Sequence, residues 1–120
     1  MNDEFIEVAT NEIASDIAQI EKIMNSCKTD DDVFGNASKF QIHTHKIKGL
    51  APMMGKEKLG MLSASLDSLF KNMISGTQYE NIFIILSPVV DDMRHSLNEP
   101  NYELSQIIQR IEQVLSNERL

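Results

Sequence analysis

Apolar residues recur in this chain at three- and four-residue steps from one end to the other, with no convincing run at every second position. A helix turns by about 100° per residue, so this spacing gathers them on one face, and the chain is read as all-α. Ile6, Ala9, Ile13, Ile17, Ile20, Met24 and Cys27 form a first stripe. "KTDDD" interrupts it and offers Thr and Asp as N-caps for the next helix. That second helix is expected from about Asp31 to about Met53, with Val33, Ala37, Phe40, Thr44, Ile47, Ala51 and Met54 as its stripe. Gly55 suits a left-handed C-cap, and Pro52 removes a backbone bond from the last turn. A third helix carries Leu59, Leu62, Leu66, Leu69 and Met73, and "SGTQ" follows it. The fourth stripe is Tyr79, Phe83, Leu86, Val90, Met93 and Leu97. Pro88 lies inside it and is expected to kink it or divide it, with Ser87 as N-cap and Pro88 at the first helical position. After "NEPN", the last helix uses Leu104, Ile107, Ile108, Ile111, Val114 and Leu115. Connections of about three to six residues favour antiparallel neighbours. The expected fold is therefore an antiparallel up-and-down four-helix bundle with an additional N-terminal helix or helical segment. It forms one domain over residues 1–120.

Composition narrows the function. The net charge of −7 and the lack of a local lysine or arginine cluster argue against nucleic-acid binding. No apolar run approaches the roughly 20 residues of a membrane span. The opening "MNDEFIEVATNE" is acidic and lacks the basic-then-apolar layout of a signal peptide. Cys27 is the only cysteine, so no internal disulfide can form, and a cytoplasmic setting is expected.

The stretch "IHTHKIKGLAPMMG", residues 42–55, holds two of the three histidines. With Ile47 set at zero on the helix, the apolar stripe runs from about −20° to about +80°. His43 falls at about −40°, at the edge of the core, and His45 at about 160°, away from it. Rings that diverge by roughly 200° cannot share a metal ion; helical zinc pairs use i, i+4 spacing. His43 is therefore read as a boundary histidine hydrogen-bonded within the bundle, and His95 as a surface residue. Around His45 stand Lys48 at about 100°, Gln41 at about 120°, Pro52 at about 140°, Ser38 at about 180° and Gly49 at about 200°. A mid-helix glycine costs about 1 kcal/mol relative to alanine, and close approach of a partner or a phosphate would be a reason to keep one. Neutral imidazole is a good nucleophile near neutral pH, and a lysine beside it can hold a phosphate oxygen. Phosphoryl acceptance fits this arrangement, and an exposed histidine on an ordinary bundle helix fits it too.

The stretch "HKIKGLAPMMG" resembles the signature of histidine-containing phosphotransfer (HPt) domains. That signature is His-x-x-Lys-Gly, a second glycine six residues on, and leucines at helical spacing. Here these residues are His45, Lys48, Gly49, Gly55, Leu59, Leu62 and Leu66. The resemblance implies that His45 accepts a phosphoryl group, usually on Nε2, from a kinase or from a receiver-domain aspartyl phosphate. It then passes the group to an aspartate on another response-regulator receiver. It implies that Lys48 stabilises the phosphate and that Gly49 gives the receiver clearance. No cofactor is expected on this chain, since the magnesium ion would belong to the receiver. The implied partners are receiver domains and a sensor or hybrid histidine kinase. The chain departs from the family at Leu50 and Pro52, where small residues are common, and at Lys46, directly after the histidine.

Bundle geometry places residues about ten positions beyond the Gly55 turn opposite His45. Ala64, Asp67, Ser68 and Lys71 are expected on the outward face there, with Asp67 read as a solvated charge in preference to an orienting partner for the imidazole. The resemblance would often place a glutamine at this level of the third helix, and none stands there in this chain. Gln41, Ile42, Pro52, Met53, Ala64, Asp67 and Ser68 are candidate partner-docking residues, with Phe34 and Met61 beside them. The alternative function is a non-catalytic HPt-like adaptor that docks a receiver or kinase without phosphoryl transfer. The dimerisation helices of a histidine kinase fit less well: position 46 is lysine where that class has an acidic residue, position 50 is leucine where it has proline, and no Gly-rich nucleotide motif is present. The chain is thus expected to be a phosphoryl carrier rather than an autonomous enzyme, and a self-contained bundle favours a monomer.

Overall fold

The computed structural model describes residues 2–117, which form six α-helices and one 3-10 turn and no strand. The helices are α1 (Asp3–Ser26), α2 (Asp30–Gly35), α3 (Ala37–Leu50), α4 (Glu57–Ile74), α5 (Ile82–Asn98) and α6 (Ser105–Asn117); the 3-10 turn is Pro52–Met54. α3 packs between α1 on one flank and α4 on the other, while α5 lies against α1 and α6 against α4. The stripes read from the sequence meet in one core, with Ile13, Phe40, Ile47, Leu62, Leu69, Met93 and Ile111 fully enclosed. Phe40 of α3 stacks on Phe70 of α4 with ring centroids 4.9 Å apart. Ile6 is the exception on the first stripe, being exposed near the start of α1. No helix among the described residues is long and apolar enough to cross a membrane.

Local chemistry sets the helix ends. Asn2 caps α1 by accepting the Phe5 N–H, and Thr29 and Asp32 form a reciprocal capping box at the start of α2. The expected single helix from Asp31 to Met53 is instead two. Asn36 has φ −108° and ψ 9°, and its side-chain amide donates to the Asp32 carbonyl at 2.8 Å and to Cys27 Sγ at 3.7 Å. An asparagine that bonds the preceding turn competes with helix continuation, and α3 restarts at Ala37. α3 also stops early, at Leu50, because Pro52 has no N–H to donate to Lys48. The chain tightens into the 3-10 turn and closes at Gly55, whose φ of 79° is the left-handed conformation expected of it.

Pro88 does not divide the fourth stripe. α5 runs through it unbroken, and Ser87 donates its hydroxyl to the Phe83 carbonyl at 2.7 Å rather than capping a new helix. The start of α5 is held from a distance. Asp30 of α2 accepts the N–H groups of Asn81 at 3.2 Å and Phe83 at 2.9 Å, which are orphan donors at the head of the helix.

Candidate functional site at the seam between α3 and α4

His45 projects from α3 with 58% of its side chain exposed. The adjacent α4 helix is buried over a broad band, because Gly60, Ser63, Asp67 and Phe70 form a second row beside the leucines. Three residues of that row meet the α3 segment: Phe70 on Phe40, Asp67 on Gln41, and Gly60 on Pro52. Asp67 therefore turns into the seam, with only 1% of its side chain exposed, and the reading of it as a solvated outward charge is wrong.

Donors from both helices converge on this carboxylate. Gln41 Nε2 donates to Oδ1 at 2.8 Å, and His45 Nδ1 lies 3.5 Å from the same oxygen. Lys71 Nζ lies 3.2 Å from Oδ2 and Lys48 Nζ 3.4 Å from it. Burial alone pushes the Asp67 carboxyl up. The hydrogen bonds from Gln41 and Lys71, the charge of Lys71 and the contact with His45 outweigh burial and hold it below its ordinary value. The site thus contains an ionised carboxylate behind the ring and two lysines beside it.

Three of the anticipated site residues lie together as expected: His45 and Lys48 share Asp67, and Gly49 lies exposed one turn beyond His45. A Cβ added at Gly49 would meet nothing within 4 Å, so the glycine leaves open space on the solvent side. Ile42, Pro52, Met53 and Ser68 are exposed, as is Met61, while Ala64 and Phe34 are half-buried. Asp67 is not part of the exposed surface, and Gln41 is half-buried. Gln41 Nε2 is engaged with Asp67, and the Asp67 side chain itself is out of reach of a partner.

The two histidines separate as the helical geometry requires. His43 turns to the opposite flank, where its Nδ1 lies 2.9 Å from Oδ1 of Asp16 on α1. Lys46 Nζ lies 3.0 Å from the same oxygen and 3.7 Å from Glu12. Asp16 holds the Lys46 ammonium above its ordinary pKa, through their hydrogen bond and opposite charge. Asp16 was not anticipated. Its signal was an acid inside the first apolar stripe, between Ile13 and Ile17, which is legible only if some donor comes to meet it. His95 sits at the far end of α5, stacked on Tyr102 at 5.3 Å and 3.5 Å from Glu99. Among the described residues, no group of three or more histidine, cysteine or acidic side chains is placed to hold a metal ion. Comparisons with protein-family models, with curated proteins and with solved structures found no match.

Proposed function

We propose that this protein is a histidine phosphotransfer protein of a two-component phosphorelay, with His45 as the phosphoryl acceptor. On this reading α3 and α4 belong to an antiparallel four-helix bundle of the HPt kind. The observation that carries it is the exposed His45 ring with Nδ1 turned to the buried Asp67 carboxylate. A proton kept on Nδ1 by Asp67 leaves the lone pair on Nε2, the nitrogen away from the carboxylate. Nε2 then forms the N–P bond as the P–O bond to the donor's aspartyl carboxylate breaks, and that carboxylate leaves with the electron pair. No proton has to depart. The ring becomes an N-phosphoimidazolium whose positive charge faces Asp67. Lys48 is close enough to turn from the carboxylate to a phosphate oxygen, and Gly49 leaves room for the donor's loops. The return transfer to a second receiver runs the same steps backwards, with magnesium expected in the receiver.

The test is incubation with receiver domains carrying radiolabelled aspartyl phosphate. Acid-labile label should move to the wild-type chain and not to His45→Gln. Label on His45→Gln would move the site elsewhere. Wild-type protein that binds receivers without taking label from any of them would favour the docking-only adaptor.

A further inference from the structure

The histidine–lysine part of the motif at His45 occurs twice, without the glycine in the second copy, where Ile47 follows Lys46. His43 and Lys46 have the same i, i+3 spacing as His45 and Lys48, offset by two residues. Two residues of offset turn the second pair by about 200°, onto the opposite flank of α3. There the pair meets a buried carboxylate as well. Asp16 of α1 stands to His43 and Lys46 as Asp67 of α4 stands to His45 and Lys48. The copy on the α1 flank is the tighter one. Its imidazole–carboxylate distance is 2.9 Å against 3.5 Å, and its lysine–carboxylate distance is 3.0 Å against 3.4 Å.

Two observations set this cluster apart from an ordinary structural ion pair. Asp16 Oδ1 receives both donors, while Oδ2 is buried and has no hydrogen-bond partner among the described residues. A carboxylate so placed orients the ring with its Nδ1–H toward Oδ1. Next, His43 lines a groove of about 350 Å³ between α1 and α3, whose walls also carry Lys22, Ser26, Asn36 and Lys39. Nδ1 is engaged by Asp16, so the nitrogen left open is Nε2, which has no protein partner among the described residues. A lone pair at Nε2, a carboxylate behind the ring and two lysines in the groove's lining are what a small phosphoryl donor requires. The groove holds a molecule of a few atoms and admits no folded domain, since only 21% of the His43 side chain is exposed.

We propose that His43 is a second phosphoryl acceptor, served by small acyl phosphates that enter the groove between α1 and α3. Nε2 forms the N–P bond as the P–O bond of the acyl phosphate breaks, and the carboxylate leaves with the electron pair. Nδ1 keeps its proton, and the charge that develops on the ring faces Asp16. Lys22 and Lys39 hold the phosphate oxygens.

The His45→Gln variant of this chain, which removes the exposed acceptor, tests this with acetyl phosphate as donor and site mapping by mass spectrometry under non-acidic conditions. His95 is the internal control: it is 48% exposed and stands beside a surface glutamate, with no buried carboxylate. Chemistry governed by exposure would label His95 first. The cluster instead predicts that His43 leads His95 by about tenfold. Lys22→Gln with Lys39→Gln, which leaves the His43–Asp16 pair intact, should lower the His43 label severalfold. Label on His95 ahead of His43, no label on His43, or labelling indifferent to the two lysines would each overturn the proposal. A phosphorylated receiver should leave His43 unlabelled in the same variant, so this experiment is read independently of the reading of His45. His43 label from a receiver would overturn the restriction to small donors.

Discussion

Asp67 Oδ1 lies 3.5 Å from Nδ1 of His45, with the carboxylate sealed in the α3–α4 seam and the ring in solvent. The carboxylate therefore acts on the ring from behind without obstructing it. Asp67→Asn keeps the shape and removes the charge. Phosphoryl uptake by His45 should slow by about tenfold or more, because the charge that develops on the ring loses its counter-ion. Stability should fall by about 1–3 kcal/mol, since Gln41, Lys48 and Lys71 lose a charged acceptor. Uptake rates and urea denaturation measure the two effects separately. A loss of stability with unchanged uptake would leave Asp67 a structural residue only.

Gly49→Ala separates folding from docking. The added methyl meets nothing within 4 Å, so the fold does not resist it. Replacing a helical glycine with alanine should raise stability by about 0.5–1 kcal/mol. The same methyl stands on the solvent strip beside His45, and transfer from a receiver should drop by about tenfold. A more stable variant that transfers normally would remove Gly49 from the functional site.

At Gly60 the opposite holds. A Cβ there would lie 2.6 Å from Cγ and 2.9 Å from Cδ of Pro52. Gly60→Ala should destabilise by about 1–3 kcal/mol, the overpacking term exceeding the gain in helix propensity. In a Pro52→Ala background the clash disappears, and the same substitution should become neutral or stabilising by up to about 1 kcal/mol. Thermal unfolding of the four proteins gives the coupling directly. An additive cycle would show that the proline ring and the helix do not constrain each other.

Acid should weaken the fold through carboxyls whose folded pKa values are depressed. Glu103 is pushed down to about 2 by hydrogen bonds from the Ser105 hydroxyl and N–H and from Lys58. Asp67 is also held below its ordinary 3.8. Below their ordinary values the unfolded chain binds more protons than the folded one, so these contributions are complete above about pH 5 and fade as the pH falls toward about 2. The stability gap between wild type and Asp67→Asn should therefore narrow from about pH 6 to about pH 2, followed by urea midpoints. A gap that stayed constant would mean that the Asp67 charge is not the source of the stabilisation.

The sequence by itself determined the helical class, most of the core and the divergence of His43 from His45. Each of these depends on rotation per residue within one segment, which is the same whatever packs against it. Local punctuation was legible in part. Gly55 turns as its position requires, and Thr29 caps as its spacing requires. The break at Asn36 had a local signal in the pair Gly35–Asn36, both common at helix ends, but it was outweighed by the apolar stripe that continues across it.

Only the tertiary structure decided the fate of the charges. Asp67 and Asp16 are ordinary acids in the sequence until donors from a second helix reach them: Gln41 and Lys48 for one, His43 and Lys46 for the other. Burying a carboxylate is unfavourable alone and tolerable when several donors converge on it. That convergence depends on how neighbouring helices are rotated and set in register, which no single stripe records. The same packing made Gln41 a support for Asp67, and left His45 as the exposed end of a buried network.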